Sequence, residues 1–140
     1  MPIRPENRWL YPIDWPELSS LIRFERAKGR CERCRRPHLK IIEHLGDGRW
    51  FDASAVAWRD GAGARVRVPD VEELPIYRTK VVLACAHLDH DPTNNRRENL
   101  AALCQRCHMI HDADEHRRQR WSNLHRRRAI RDLFAPALPW

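Results

Sequence analysis

AHLDHDPTNNRRENLAALCQRCHMIHD, residues 86–112, is the stretch whose reading decides the fold. It begins at the end of an apolar, β-branched run, residues 78–87, which reads as a strand. A polar loop with little packing potential follows. Apolar residues resume at Leu100 and Leu103, a C-x2-C pair comes next, and a helix is predicted from about residue 106. The unit is therefore strand, loop, short strand or turn, helix. His87, Asp89, His90, Asp91, Asn94, Asn95, Asn99, His108, His111, Asp112 and His116 crowd into residues 87–116, more metal-binding and proton-moving groups than a packed core needs. His108 and Asp112 are four residues apart, so on a helix they share a face that can hold a divalent ion. A hairpin-like return of the chain would bring His87 opposite that face, where a neutral imidazole can take a proton from water. The plainer alternative is a polar loop beside a solvated helix surface, and for any single histidine that is the commoner case.

Working outward, Cys104 and Cys107 have a counterpart in Cys31 and Cys34, a second C-x2-C. Each two-residue spacer turns the backbone so that both thiolates point inward, and two such pairs can clasp one tetrahedral zinc ion, Zn2+. With 69 residues between them, residues 35–103, the pairs would join two halves of a domain in a closed, structural site. Cys85, among apolar neighbours, reads as a small core residue. Five cysteines in a reducing compartment point to metal ligation rather than disulfides.

The remainder frames this centre. A length of 140 residues suits one domain, 1–140, and a formal charge of +7 favours a polyanionic partner, nucleic acid first. No run reaches the roughly 18 to 20 apolar residues of a membrane span, and MPIRPENRWLYP lacks the apolar stretch of a signal peptide, so the expected location is cytoplasmic with no membrane partner. An N-terminal helix is predicted over residues 15–28, capped by Asp14, with Pro16 and Glu17 in its first turn, Leu18, Leu21, Ile22 and Phe24 or Glu25 approximating an apolar stripe, and Gly29 just past its end. With the first cysteine pair it forms a unit of about 14–36. Residues 46–77 read as a hairpin-rich insert with short strands at 50–52, 55–58 and 65–68. The core is placed at about 78–116 and a basic C-terminal helix at about 117–134. Residues 117–131 hold seven arginines and no acidic residue, and residues 135–140 should leave the helix and lie extended.

The stretch at 86–112 resembles the core of HNH endonucleases, the ββα-metal (His-Me finger) nucleases, and the first cysteine pair resembles the paired zinc knuckles of many members. The resemblance is strong over residues 81–116. It implies an α+β fold with a small zinc-stabilised ββα-metal core, to which the N-terminal helix, the insert and the basic helix are additions. By its positions, His87 resembles the general base, Asn99 the residue that braces the active-site loop, and His108 a metal ligand, with Asp112 where some members carry a second helix ligand. The residue before the base, usually an aspartate or histidine ligand, is Ala86 here; Asp89 or His90 could substitute from the loop, or His87 could itself bind the metal. The activity implied is metal-dependent phosphodiester hydrolysis by a DNA endonuclease or nickase. It would use Mg2+ or Mn2+ on double-stranded DNA, with Arg117, Arg118, Arg120, Arg126, Arg127 and Arg128 positioning the duplex. The alternatives are a catalytically degenerate zinc module that binds DNA or a protein without cutting, and a purely protein-binding zinc domain.

Overall fold

The computed structural model describes residue 3, residues 5–67 and residues 74–134, the last six of these by backbone alone. The fold is mixed α+β. A 3-10 turn (Pro5–Leu10) leads into α1 (Trp15–Ser20), which continues as a π-helical segment (Leu21–Arg26). Among the described residues seven strands follow: β1 (Ile41–His44), β2 (Trp50–Asp52), β3 (Ala57–Arg59), β4 (Arg65–Val66), β5 (Tyr77–Lys80), β6 (Leu83–His87) and β7 (Leu100–Cys104). Helix α2 (Gln105–Phe134) closes the described chain. Among the described residues, no helix is long and apolar enough to cross a membrane.

β6 and β7 form an antiparallel hairpin in the register His87↔Leu100 through Leu83↔Cys104, and α2 starts at the residue after β7. β7 is LAALC, buried throughout, because it is packed on both faces. Strand alternation sends Leu100 and Ala102 toward Ile22, Trp15, Leu18 and Leu21 of the N-terminal helix, and Ala101 and Leu103 toward Trp50, Val81 and the cysteines. The other five strands make an antiparallel sheet in the order β4-β3-β2-β1-β5.

Several sequence expectations change here. Asp14 makes no side-chain cap bond; only its backbone carbonyl accepts, from the Leu18 N–H at 3.0 Å. The helix expected over 15–28 ends at Arg26, and Ala27 N–H bonds back five residues to the Ile22 carbonyl, which places both buried residues in the same cluster. Phe24 is 41% exposed and lies outside the apolar stripe. The run 78–87 is two strands in two sheets. At the crossing, the Gln105 side chain donates to the Lys80 carbonyl at 2.6 Å and accepts from Val82 N–H at 3.0 Å, while His38 Nδ1 accepts from Leu83 N–H. Those side chains satisfy backbone groups that a continuous strand would have paired. β1 lies before the expected insert, so the sheet spans 41–80 rather than 46–77. The strand expected at 55–58 is Ala57–Arg59, and the one at 65–68 is Arg65–Val66, with residue 68 outside the described residues. The helix expected in two parts is continuous from Gln105 to Phe134, and residues 135–140 lie outside the described residues.

Candidate functional site

The first C-x2-C lies in a tight turn. The Arg30↔Pro37 bridge closes it, Cys31 N–H donates to the Arg36 carbonyl, and Arg35 takes a left-handed backbone with φ 67°. Glu32 docks this turn on β7: its N–H donates to the Ala102 carbonyl at 2.9 Å and its carboxylate accepts from Ala102 N–H at 2.7 Å. Arg26 holds the same carboxylate through two 2.8 Å bonds. Cys104 ends β7 and Cys107 lies in the first turn of α2, so docking the turn on β7 brings the two pairs together. Cys31, Cys34, Cys104 and Cys107 are buried free thiols, one sulfur from each lies within 4.8 Å of the others, and Cys34 and Cys104 are 3.5 Å apart. A tetrahedron of Zn–S bonds of about 2.3 Å has sulfur–sulfur edges of about 3.8 Å. The cluster therefore fits a structural metal such as zinc. Hydrogen bonds among the four sulfurs pull Cys31 and Cys104 down, the latter to about 6 through Cys107 first, and push Cys34 and Cys107 up. Cys85 stands apart beside the N-terminal helix, and burial pushes its thiol up to about 11.

His87 ends β6. Its ring stacks on Trp15 with centroids 5.1 Å apart and planes 10° apart, and meets the edge of Tyr11 at 5.7 Å. His87 Nε2 lies 3.0 Å from Asn95 Oδ1, and the Asn95 amide nitrogen donates to the Pro92 and Thr93 carbonyls. Oδ1 can only accept, so His87 Nε2 carries the proton and Nδ1 keeps the lone pair. A cleft of about 470 Å³ opens beside it, lined by Tyr11, Trp15, Arg23, Cys85, His87 and His108 among others. From α2, His108 Nε2 stands 3.3 Å from Asp112 Oδ2, and His111 Nε2 stands 3.1 Å from the His87 carbonyl. Burial holds His108 below the ordinary imidazole value against the opposing pull of the Asp112 carboxylate. His90, at φ 62°, meets His111 edge-on at 4.3 Å, and one ligand atom from each of His90, His111 and Asp112 lies within 4.8 Å of the others.

The loop is clasped by Asp89 and Asn99. The Asp89 carboxylate accepts from Asp91 N–H, Asn94 Nδ2 and Asn99 Nδ2 at 2.9, 2.7 and 2.8 Å. Those three bonds, Asp91 first, hold it at about 2. Asn99 returns the contact, accepting from Asp89 N–H at 3.1 Å and donating to the Asn94 carbonyl at 2.8 Å. Asp89 thus gives three of its roughly four acceptor sites to the loop, while Ala86 is 3% exposed and packed in the cysteine-side core. Of the residues picked out in the sequence, His87 and His108 line one cleft, His108 stands 3.3 Å from Asp112, Asn99 acts on the loop, and Asp89 is turned into the clasp. Tyr11 and Trp15 were not singled out for the site, and Asn95 was named in the polar constellation without a role of its own. No local pattern ties the two aromatics to residue 87, whereas Asn95 stood in the polar loop without a partner to give it a role.

Arg117, Arg118, Arg120, Arg126, Arg127 and Arg128 of α2 are exposed. Arg117 and Arg118 reach Asp114 and Glu115 at 3.5 and 3.9 Å, surface pairs of small energetic weight. At about 100° per residue, Arg117, Arg120, Arg127 and Arg128 share one arc of the helix, and Arg118 and Arg126 continue the face that carries His111 and His108. No family model matches the chain, and no curated protein or solved structure does either.

Proposed function

We propose that the protein is a metal-dependent DNA endonuclease or nickase of the HNH type, stabilised by one zinc ion on Cys31, Cys34, Cys104 and Cys107. The observation that carries this reading is that His87, at the end of β6, and His108, on the helix that follows β7, line one cleft, with His108 3.3 Å from Asp112 and His111 Nε2 on the His87 carbonyl. The Asp89–Asn99 clasp orders the intervening loop. His87 Nδ1 would take a proton from water as that oxygen attacks phosphorus; the P–O3′ bond breaks and the leaving oxygen gains a proton from solvent. A divalent ion on the Asp112 face, Mg2+ or Mn2+, would neutralise charge on the phosphate and the leaving oxygen. Trp15 and Tyr11 fix the plane of the base, and Arg118 and Arg126 offer phosphate contacts along the same helix face.

Buried Ala86 favours a second reading, a zinc-stabilised module that binds nucleic acid without cutting. Supercoiled plasmid incubated with Mg2+ or Mn2+ separates the two. Nicked or linear product that disappears with His87→Ala supports the nuclease, and intact plasmid under both ions supports the module.

A further inference from the structure

The side chains around Asp112 divide into two sets, and they differ in how their donors are prepared. His108 stands 3.3 Å from Asp112 as a pair four residues apart on one helix. His90 arrives from the loop in a left-handed backbone, φ 62°, a conformation that costs a residue with a Cβ and is retained when surrounding contacts enforce it. The enforcing contacts are present: the Asp89–Asn99 clasp precedes it and His90 N–H bonds to the His87 carbonyl at 3.3 Å. The outcome is an imidazole edge-on to His111, 4.3 Å between ring centres.

From this arrangement we infer that His90, His111 and Asp112 bind a divalent transition-metal ion, with His108 acting as a positioning residue on the Asp112 carboxylate. Ligand atoms of these three lie within 4.8 Å of one another, a span that closes on an ion by small side-chain rotations. His111 is already oriented: its Nε2 faces the His87 carbonyl, which can only accept, so the proton sits on Nε2 and the lone pair on Nδ1. A backbone carbonyl holding the far nitrogen is the usual support of a ligating histidine, and His108 Nε2, 3.3 Å from Asp112 Oδ2, stands against the ligating carboxylate. Two imidazole nitrogens and one carboxylate oxygen select ions such as Zn2+, Co2+, Ni2+ and Mn2+ over Mg2+ and Ca2+. Three protein ligands leave coordination positions open to water or a phosphate oxygen. The binding claim stands apart from cleavage, and only the ion's use on a phosphodiester rests on the nuclease reading.

The test uses the full chain with zinc loaded on the cysteines and titrates it with Co2+, followed by calorimetry and by weak visible bands free of thiolate charge transfer. One Co2+ per chain is expected beyond the cysteine-held zinc. His90→Asn, chosen because asparagine tolerates the left-handed backbone, and Asp112→Asn should each weaken it at least about tenfold, and His108→Gln should weaken it less. In the wild-type chain, Mn2+ should broaden the ring-proton resonances of His90 and His111 first, a readout that needs no variant. Unchanged Co2+ affinity in His90→Asn together with loss in His108→Gln would overturn the assignment, as would His90 and His111 resonances unaffected by Mn2+. Co2+ bound with this ligand dependence while plasmid stays intact leaves the site standing and removes the nuclease reading. Nicking whose metal requirement is indifferent to His90→Asn, with no second Co2+ bound, does the reverse.

Discussion

Each cysteine of the cluster is a single ligand to a site that holds two distant segments, so its loss should be felt as both metal and stability. Cys31→Ser is expected to lower zinc toward zero per chain by elemental analysis and to lower the melting temperature, because metal binding is coupled to folding. Cys85→Ser, outside the cluster, should keep the zinc. Stoichiometric zinc in a Cys31→Ser, Cys104→Ser double variant would contradict the assignment. His87 is the other residue on which a role turns: with its Nε2 occupied by Asn95, removing the ring in His87→Ala should cut any plasmid nicking by about 10² to 10⁴-fold. Asn95→Ala should lower it through loss of the tautomer that leaves Nδ1 bare, read as a shift in the pH–rate profile that a purely structural role would not produce.

Two elements hold the site, and each has its own signature. The N-terminal helix reaches His87 through Trp15 and is anchored by fully buried Ile22. Ile22→Ala should cost about 2–5 kcal/mol in chemical denaturation, because the cavity opens against β7 where relaxation is limited. The loop between β6 and β7 depends on the charge of Asp89. Its carboxyl is held at about 2 against an unfolded value of about 3.9, so its contribution is complete above about pH 4 and is lost as pH falls toward 2. Amide exchange of Asp91 and Asn99 should accelerate over that window, and Asp89→Asn should bring the faster exchange to neutral pH with the zinc still bound, which separates the clasp from acid release of the metal. Exchange in Asp89→Asn equal to wild type at pH 7 would show that the loop is ordered by other contacts.

For the whole molecule, the +7 charge and the exposed arginines of α2 predict binding to the phosphate backbone with little sequence preference. Arg118→Glu with Arg126→Glu should weaken unrelated duplexes alike and flatten the dependence of affinity on salt between about 50 and 200 mM, measured by fluorescence anisotropy. Affinity indifferent to salt would remove nucleic acid as the partner. What the sequence alone determined is what depends on short spacings: the two C-x2-C turns, the His108–Asp112 pair on one helix face, the strand, loop, strand, helix order at residues 83–134, and the positive charge. Local geometry dictates each of these, since a two-residue spacer or a four-residue step leaves the backbone few arrangements. The tertiary structure decided the rest. Glu32 on β7 brings together cysteine pairs separated by 69 residues, Gln105 splits residues 78–87 between two sheets, Trp15 covers His87, and the Asp89–Asn99 clasp claims the acid that spacing offered as a ligand. These outcomes depend on which distant group completes each hydrogen bond or fills each packing site. A linear pattern carries no record of that choice, because many distant residues satisfy the same local chemistry and only the packed chain selects among them.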